Sequence, residues 1–87
     1  MFYTYVLKGD ERNDLYIGFT HDLRKRISEH NRGFTKTTKK DQWHCIYYEA
    51  CLEERDARRR EFYFKTSQGR RLLKRRLQDY FRVRRAS

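Results

Sequence analysis

The distribution of hydrophobic positions predicts three β-strands in this chain. Residues 2–7, 15–20 and 43–50 are rich in aromatic and β-branched side chains, which are typical of strands. The stretch 8–14 between the first two is polar and contains turn-forming residues, so we expect an antiparallel hairpin there.

Helical periodicity accounts for most of the remaining chain. We predict helices over residues 22–31, 52–67 and 70–81, with Gly69 interrupting the pattern between the last two and a basic tail over 82–87. The resulting order is β-β-α-β-α-α. It predicts one domain over residues 1–87 of the α/β (α+β) class, with a small three-stranded antiparallel sheet flanked by helices.

Alternation along the hairpin predicts which side chains share a face of the sheet. Five side chains are expected to face the core: Phe2, Val6, Leu15, Ile17 and Phe19. Tyr3, Tyr5 and Tyr16 would then lie together on the opposite, exposed face. Tyrosines are also common on half-buried strands without any catalytic role.

The charge of the chain favours a polyanionic partner. The 87 residues carry a net charge of +10, and 39% of them are charged. We favour nucleic acid over a membrane surface, because the cations are spread along the chain instead of lying opposite one apolar helix face. Met1 leads directly into a strand pattern and no apolar run reaches membrane-spanning length, so we expect a cytoplasmic protein.

The two cysteines, Cys45 and Cys51, are expected to be reduced thiols, because their spacing does not suit zinc and a disulfide is uncommon inside cells.

Three polar residues are candidates for chemistry. Arg26 and His30 are four residues apart and share one face of the first helix. Glu61 lies on a partly apolar stripe of the second helix, where a carboxylate is either a structural ion pair or a ligand for Mg²⁺, which keeps most of its waters. For the helix, the plain alternative is a solvated basic surface with one incidental histidine.

In this order, these features resemble the GIY-YIG nuclease superfamily over almost the whole chain. Residues 3–7 correspond to the first motif, with Tyr5 at the tyrosine position but without the Gly-Ile pair. The second motif, Tyr16-Ile17-Gly18, matches in full. The resemblance is to small stand-alone bacterial members, which are similar to the N-terminal nuclease domain of the excision-repair endonuclease.

The resemblance extends to the helices. Arg26, His30 and Asn31 match the helix pattern, and residues 57–61 match the stretch that supplies the metal-binding glutamate. It implies an endonuclease that hydrolyses phosphodiester bonds in DNA, using Mg²⁺ or Mn²⁺ held by Glu61, with a role in DNA repair. Gly18 and Asn31 would support the site.

The roles implied by the resemblance are specific. Arg26 would neutralise charge on the scissile phosphate, and His30 would orient water or relay a proton. Tyr5 is the first choice for deprotonating the attacking water, with Tyr16 positioning it, and the reverse assignment stays open. The degenerate first motif leaves one alternative, a nucleic-acid-binding module with weak or no catalysis.

Further cations are candidates for contacts with backbone phosphates. Each one alone is better explained as a solvated surface charge, but the set as a whole favours phosphate binding. These cations are Lys36, Lys39, Lys40, Arg70, Arg71, Lys74, Arg75 and Arg76. A last apolar face on the C-terminal helix would pack on the sheet, or would bind a partner protein or a second copy in a homodimer. It consists of Leu73, Leu77, Tyr80 and Phe81.

Overall fold

A computed structural model describes residues 1–10, 15–33 and 42–86, with side chains up to residue 83. Its three strands are β1 (Phe2–Gly9), β2 (Leu15–Thr20) and β3 (Trp43–Cys51). Its helices are α1 (Leu23–Asn31), α2 (Glu54–Phe64), α3 (Ser67–Arg76) and α4 (Gln78–Ala86). In this part of the chain, no helix is long and apolar enough to cross a membrane.

The predicted α+β fold and its three-stranded antiparallel sheet are confirmed. The strand order is β2-β1-β3, so the first strand is central and pairs with both others. A β-bulge lies between Val6 and Leu7 in the pairing with β3. Because β1 has partners on both sides, its side chains form the centre of the core on both faces.

Helices cover both faces of this sheet. On one face, Val6 and Ile17 form a cluster with Phe64 of α2 and Leu73 of α3. On the other face, a second cluster is built on Tyr5, Leu7 and Trp43, against which Leu23 and Ile27 of α1 pack. The core positions predicted for Val6 and Ile17 are confirmed.

The prediction of an exposed tyrosine face is wrong for Tyr5, whose exposed fraction is 1%. Alternation placed Tyr5 and Tyr16 on the correct common side, but α1 covers that side. On the other face, Phe2, Leu15 and Phe19 are only partly buried, whereas Val6 and Ile17 are buried.

The C-terminal segment differs from the prediction in three respects. Two helices replace one, because Leu77 leaves the helical conformation with φ −110° and ψ 31°. The expected basic tail continues α4 to Ala86. Gly69 does not break the segment but lies inside α3, where a Cβ atom would overlap the Tyr63 carbonyl, so the glycine permits close packing of α3 on α2.

Both cysteines are free in the structure and partly buried. Burial raises the pKa of the Cys45 thiol.

Candidate active site

The helix α1 delivers two polar side chains to the sheet. It begins after Asp22, whose side chain accepts a hydrogen bond from the Lys25 amide at 3.2 Å and so caps the free end of the helix. Arg26 and His30 then follow one turn apart on a common face. His30 is completely buried, although histidine is a polar residue.

The buried imidazole is satisfied by Tyr5 of the central strand. The Tyr5 hydroxyl lies 2.9 Å from Nε2 of His30. The Arg26 guanidinium also interacts with this phenol and acts to lower its pKa. The Tyr5 hydroxyl has one hydrogen, which it can donate to Nε2 when His30 carries its own proton on Nδ1. The hydroxyl oxygen can at the same time accept a hydrogen bond from Arg26. One strand and one helix are therefore linked through a single hydroxyl group.

Burial keeps both partners of this hydrogen bond uncharged at neutral pH. It raises the pKa of Tyr5 to about 12, against the opposing effect of the Arg26 hydrogen bond. It lowers the pKa of His30 to about 4, and the nearby Arg26 cation adds to the effect. His30 is consequently a neutral base at neutral pH, and Tyr5 is a protonated phenol.

Tyr16 reaches the same histidine from strand β2. The centroid of its ring lies 4.6 Å from the His30 ring and 6.4 Å from the Tyr5 ring. Its ring also makes an edge-to-face contact with the Trp43 ring, with the two centroids 6.3 Å apart. Tyr16 is only partly buried, so it is the more accessible of the two phenols.

Gly18 provides the space that Tyr5 occupies. The two residues are directly paired across strands β1 and β2. A Cβ atom on Gly18 would overlap Cζ and the hydroxyl oxygen of Tyr5. The glycine of the second motif is therefore required by the position of the tyrosine of the first.

Arg26 remains a cation with access to solvent. Its Nη1 donates to Oε1 of Glu29 at 3.0 Å, and this hydrogen bond raises the pKa of Arg26 above its ordinary value. Its side chain is 34% exposed. The guanidinium can thus contact the buried phenol with one part and an external anion with another.

Glu61 is the predicted metal ligand. It follows Ala57 by one turn on α2, its side chain is 18% exposed, and it accepts a hydrogen bond from Lys65 at 3.2 Å. Its charge raises the pKa of Tyr5, which indicates that the carboxylate and this phenol interact electrostatically.

The donor chemistry of Glu61 fits Mg²⁺ or Mn²⁺. These ions prefer carboxylate and water oxygens, and Mg²⁺ needs only one or two protein carboxylates when substrate phosphate completes the shell. Within the described ranges, no group of three or more His, Cys, Asp and Glu side chains is arranged to hold a metal ion. Any ion at Glu61 would therefore depend on water and on the substrate.

Asn31 fastens the end of α1 to the beginning of β3. Its Nδ2 donates to the Trp43 carbonyl at 3.0 Å, and its Oδ1 accepts from the Trp43 amide at 2.6 Å. The Asn31 side chain thereby makes the two hydrogen bonds that a neighbouring strand would otherwise make with the backbone of Trp43. Because His30 precedes Asn31, this pair of hydrogen bonds also holds the histidine in place.

The predicted phosphate-binding residues are distributed differently. Lys36, Lys39 and Lys40 lie outside the described residues. Arg70, Arg71 and Lys74 belong to α3, which packs on the face of the sheet opposite to Tyr5. Arg75 and Arg76 lie in the exposed last turn of the same helix.

Three residues with direct contacts to the site were not singled out from the sequence. Glu29 and Lys65 pair with Arg26 and Glu61 at helical spacings, so the (i, i+3) and (i, i+4) rules could have identified them. Trp43 flanks Tyr16 from a distant strand, and no local pattern indicates this contact.

Sequence comparison finds relatives of this chain in several bacteria. The chain is 34% identical over 77 residues to a UPF0213 protein of Pediococcus acidilactici, covering 84% of this chain and 78% of the relative. It is 41% identical over 66 residues to a UPF0213 protein of Bacillus pumilus, covering 74% and 66%. It is also 39% identical over 67 residues to one of Clostridium perfringens, covering 75% and 71%.

No solved structure matches the chain. Residues 1–73 match the model of the GIY-YIG catalytic domain. This range includes Tyr5, Tyr16, Arg26, His30 and Glu61. The chain therefore belongs to the GIY-YIG catalytic domain family, which indicates a nuclease acting on nucleic acid.

Proposed function

We propose that this protein is a divalent-metal-dependent endonuclease that hydrolyses phosphodiester bonds in DNA, with structure-directed or weakly sequence-specific cleavage. The observation that carries the proposal is the contact of Tyr5, Arg26 and His30 around one hydroxyl, flanked by the accessible Tyr16. A place in DNA repair and a cytoplasmic location are part of the proposal.

In this mechanism, Arg26 binds the scissile phosphate. It is charged and partly exposed, and its forked donors suit phosphate oxygens. As water attacks phosphorus and the P–O bond to the leaving sugar oxygen breaks, negative charge grows on the non-bridging oxygens. A fixed cation stabilises that charge more than it stabilises the ground state.

The resemblance favours Tyr5 as the residue that deprotonates the attacking water. The burial of Tyr5 instead supports Tyr16 in that role. A fully buried phenol with a pKa of about 12 is a poor direct partner for water. Tyr16 is accessible and contacts the neutral His30. We therefore assign the positioning of water and the removal of its proton to Tyr16, and the orientation of Tyr16 and Arg26 to the buried pair of His30 and Tyr5.

Glu61, whose charge acts on Tyr5, would hold Mg²⁺ or Mn²⁺. When bound, the ion supplies Lewis-acid stabilisation of the phosphate and of the leaving oxygen. Without a bound ion, Glu61 forms an ion pair with Lys65.

The test is cleavage of flapped, branched, single-stranded and duplex DNA, and of RNA, with and without Mg²⁺ or Mn²⁺. Arg26→Ala and Glu61→Gln should each lower the rate by about 100-fold or more, as loss of a charge-stabilising group does. Arg24→Ala and Glu54→Gln are matched controls, because these residues are exposed on the same two helices.

Tyr16→Phe should lower the rate more than Tyr5→Phe does, since only Tyr16 is assigned to water. Cleavage that is unchanged in Glu61→Gln would contradict the metal assignment. Binding to these substrates without cleavage of any of them would instead identify a binding module of the same fold.

A further inference from the structure

A cleft lined by cations and aromatic rings lies apart from the candidate active site. Its volume is about 1500 Å³, which exceeds the roughly 300–1,000 Å³ of pockets for small ligands. We name it the basic cleft and define it by Lys8, Arg70, Arg71, Lys74, Tyr80 and Phe81. Its size suits a segment of a polymer better than a small molecule.

The basic cleft lies on the opposite side of the sheet from Tyr5. Leu15 and Ile46 also line it, and both pack against the cluster around Val6 and Ile17. Tyr5 belongs to the cluster on the α1 side. A ligand in the cleft would therefore occupy a separate surface from a phosphate at Arg26.

The charge of α3 is not neutralised within the described structure. The helix contains no acidic residue, and among the described residues Arg70, Arg71 and Lys74 form no ion pair. On α2, by contrast, Arg58 and Arg59 pair with carboxylates of their own helix. These cations of α3 can therefore interact with an external anion, although the carboxylate of Asp10 also lines the cleft.

Two aromatic rings accompany these cations. Tyr80 and Phe81 of α4 contact each other edge to face, with ring centroids 5.1 Å apart, and both line the cleft. Each remains partly exposed. Bases stack on such rings when they are unpaired, whereas the bases of an intact duplex present no free face.

We propose that the basic cleft binds an unpaired segment of nucleic acid, with phosphates at Arg70, Arg71 and Lys74 and bases against Tyr80 and Phe81. This inference rests on the proposed function only for its nucleic-acid partner. It specifies that function further, because the preferred substrate would carry a single-stranded part that is held across the sheet from the cleaved bond.

The first experiment measures binding of the full chain in EDTA, so that cleavage does not interfere. The probe is a fluorescein-labelled single strand within the roughly 4–16-nucleotide range of single-strand sites, compared with its duplex by anisotropy over a range of salt concentrations. The single strand should bind more tightly than the duplex.

Two matched double variants separate the cleft from general charge. Arg71→Ala with Lys74→Ala should weaken single-strand binding at least about tenfold, and should reduce the salt slope by about 1.4, or 0.7 for each lost phosphate contact. Arg58→Ala with Arg59→Ala removes the same charge from α2 and should change both quantities much less.

Phe81→Leu keeps an apolar side chain but removes the ring. It should weaken the single strand at least about fivefold, as loss of base stacking does, with little effect on the duplex. Melting temperatures of all variants show whether they are folded. A poly-glutamate peptide serves as the competing anion.

The outcomes are decisive for the cleft. Equal losses in the two double variants, an unaffected Phe81→Leu, or binding of poly-glutamate as tight as that of the single strand would overturn the proposal. If the cleft binds the strand but no substrate is cleaved, only the proposed nuclease function fails. If the protein cleaves DNA but the cleft substitutions leave its affinity for the single strand unchanged, only the proposal for the cleft is refuted.

Discussion

Acidification should destabilise this protein through one buried histidine. His30 is inaccessible to solvent, and burial, reinforced by the Arg26 cation, lowers its pKa from 6.5 to about 4. Glu29 opposes this effect only in part. Between these two pH values, the unfolded chain therefore binds a proton that the folded chain does not accept.

The sign and the size follow from this difference. Because the unfolded state binds more protons, the free energy of unfolding falls as the pH falls from 6.5 towards 4, and this contribution is complete above 6.5. At about 1.4 kcal/mol per pKa unit, the loss amounts to about 3 kcal/mol. For a domain whose total stability is on the order of 5–15 kcal/mol, that is a large fraction.

The assay is urea unfolding followed by circular dichroism at several values between about pH 4 and 7, for the unaltered chain and for His30→Gln. The unaltered chain should lose up to about 1.4 kcal/mol per pH unit more than the variant, since the carboxylates are common to both. His21→Gln, which removes an exposed histidine, should keep the full dependence.

Parallel pH dependences for the unaltered chain and His30→Gln would refute the reasoning. Titration of the histidine ring protons by NMR gives an independent check, because one of the three histidines should remain neutral to about pH 4.

Two further substitutions test the supports of the site. Gly18→Ala should destabilise the fold by about 1–3 kcal/mol, since its Cβ would overlap the Tyr5 ring, and a melting temperature unchanged from that of the unaltered chain would contradict this. Asn31→Ala should cost about 1–3 kcal/mol in urea unfolding, because it removes both hydrogen bonds between this side chain and the Trp43 backbone. Asn31→Asp places a carboxylate oxygen against the Trp43 carbonyl in place of the donor and should also destabilise the fold, so an unchanged free energy of unfolding in this variant would argue against these hydrogen bonds.

Much of the fold is encoded in local patterns. The strands are predicted within one or two residues, because alternation is a property of neighbouring positions. The first helix is likewise predicted, since Asp22 caps it and Leu23 and Ile27 repeat at helical spacing. These signals need no knowledge of distant contacts.

The break at Leu77 has no such signal. The apolar spacing from Leu73 to Leu77 and on to Tyr80 and Phe81 continues at helical intervals across the break, so the sequence predicts a single helix. In the structure, Leu73 is fixed in the core, whereas Tyr80 and Phe81 line the basic cleft on a separate helix. Packing against the rest of the molecule, and not periodicity, divides the segment.

The sequence by itself determined the order of the elements, the common side of Tyr5 and Tyr16, and the family motifs. Only the tertiary structure decided that α1 covers this side, which buries Tyr5 against His30 and separates the pKa values of the two groups. The reason is physical: alternation fixes the direction of a side chain relative to its own strand. Its solvation depends on which helix packs above it, and that is set by contacts between residues far apart in the chain.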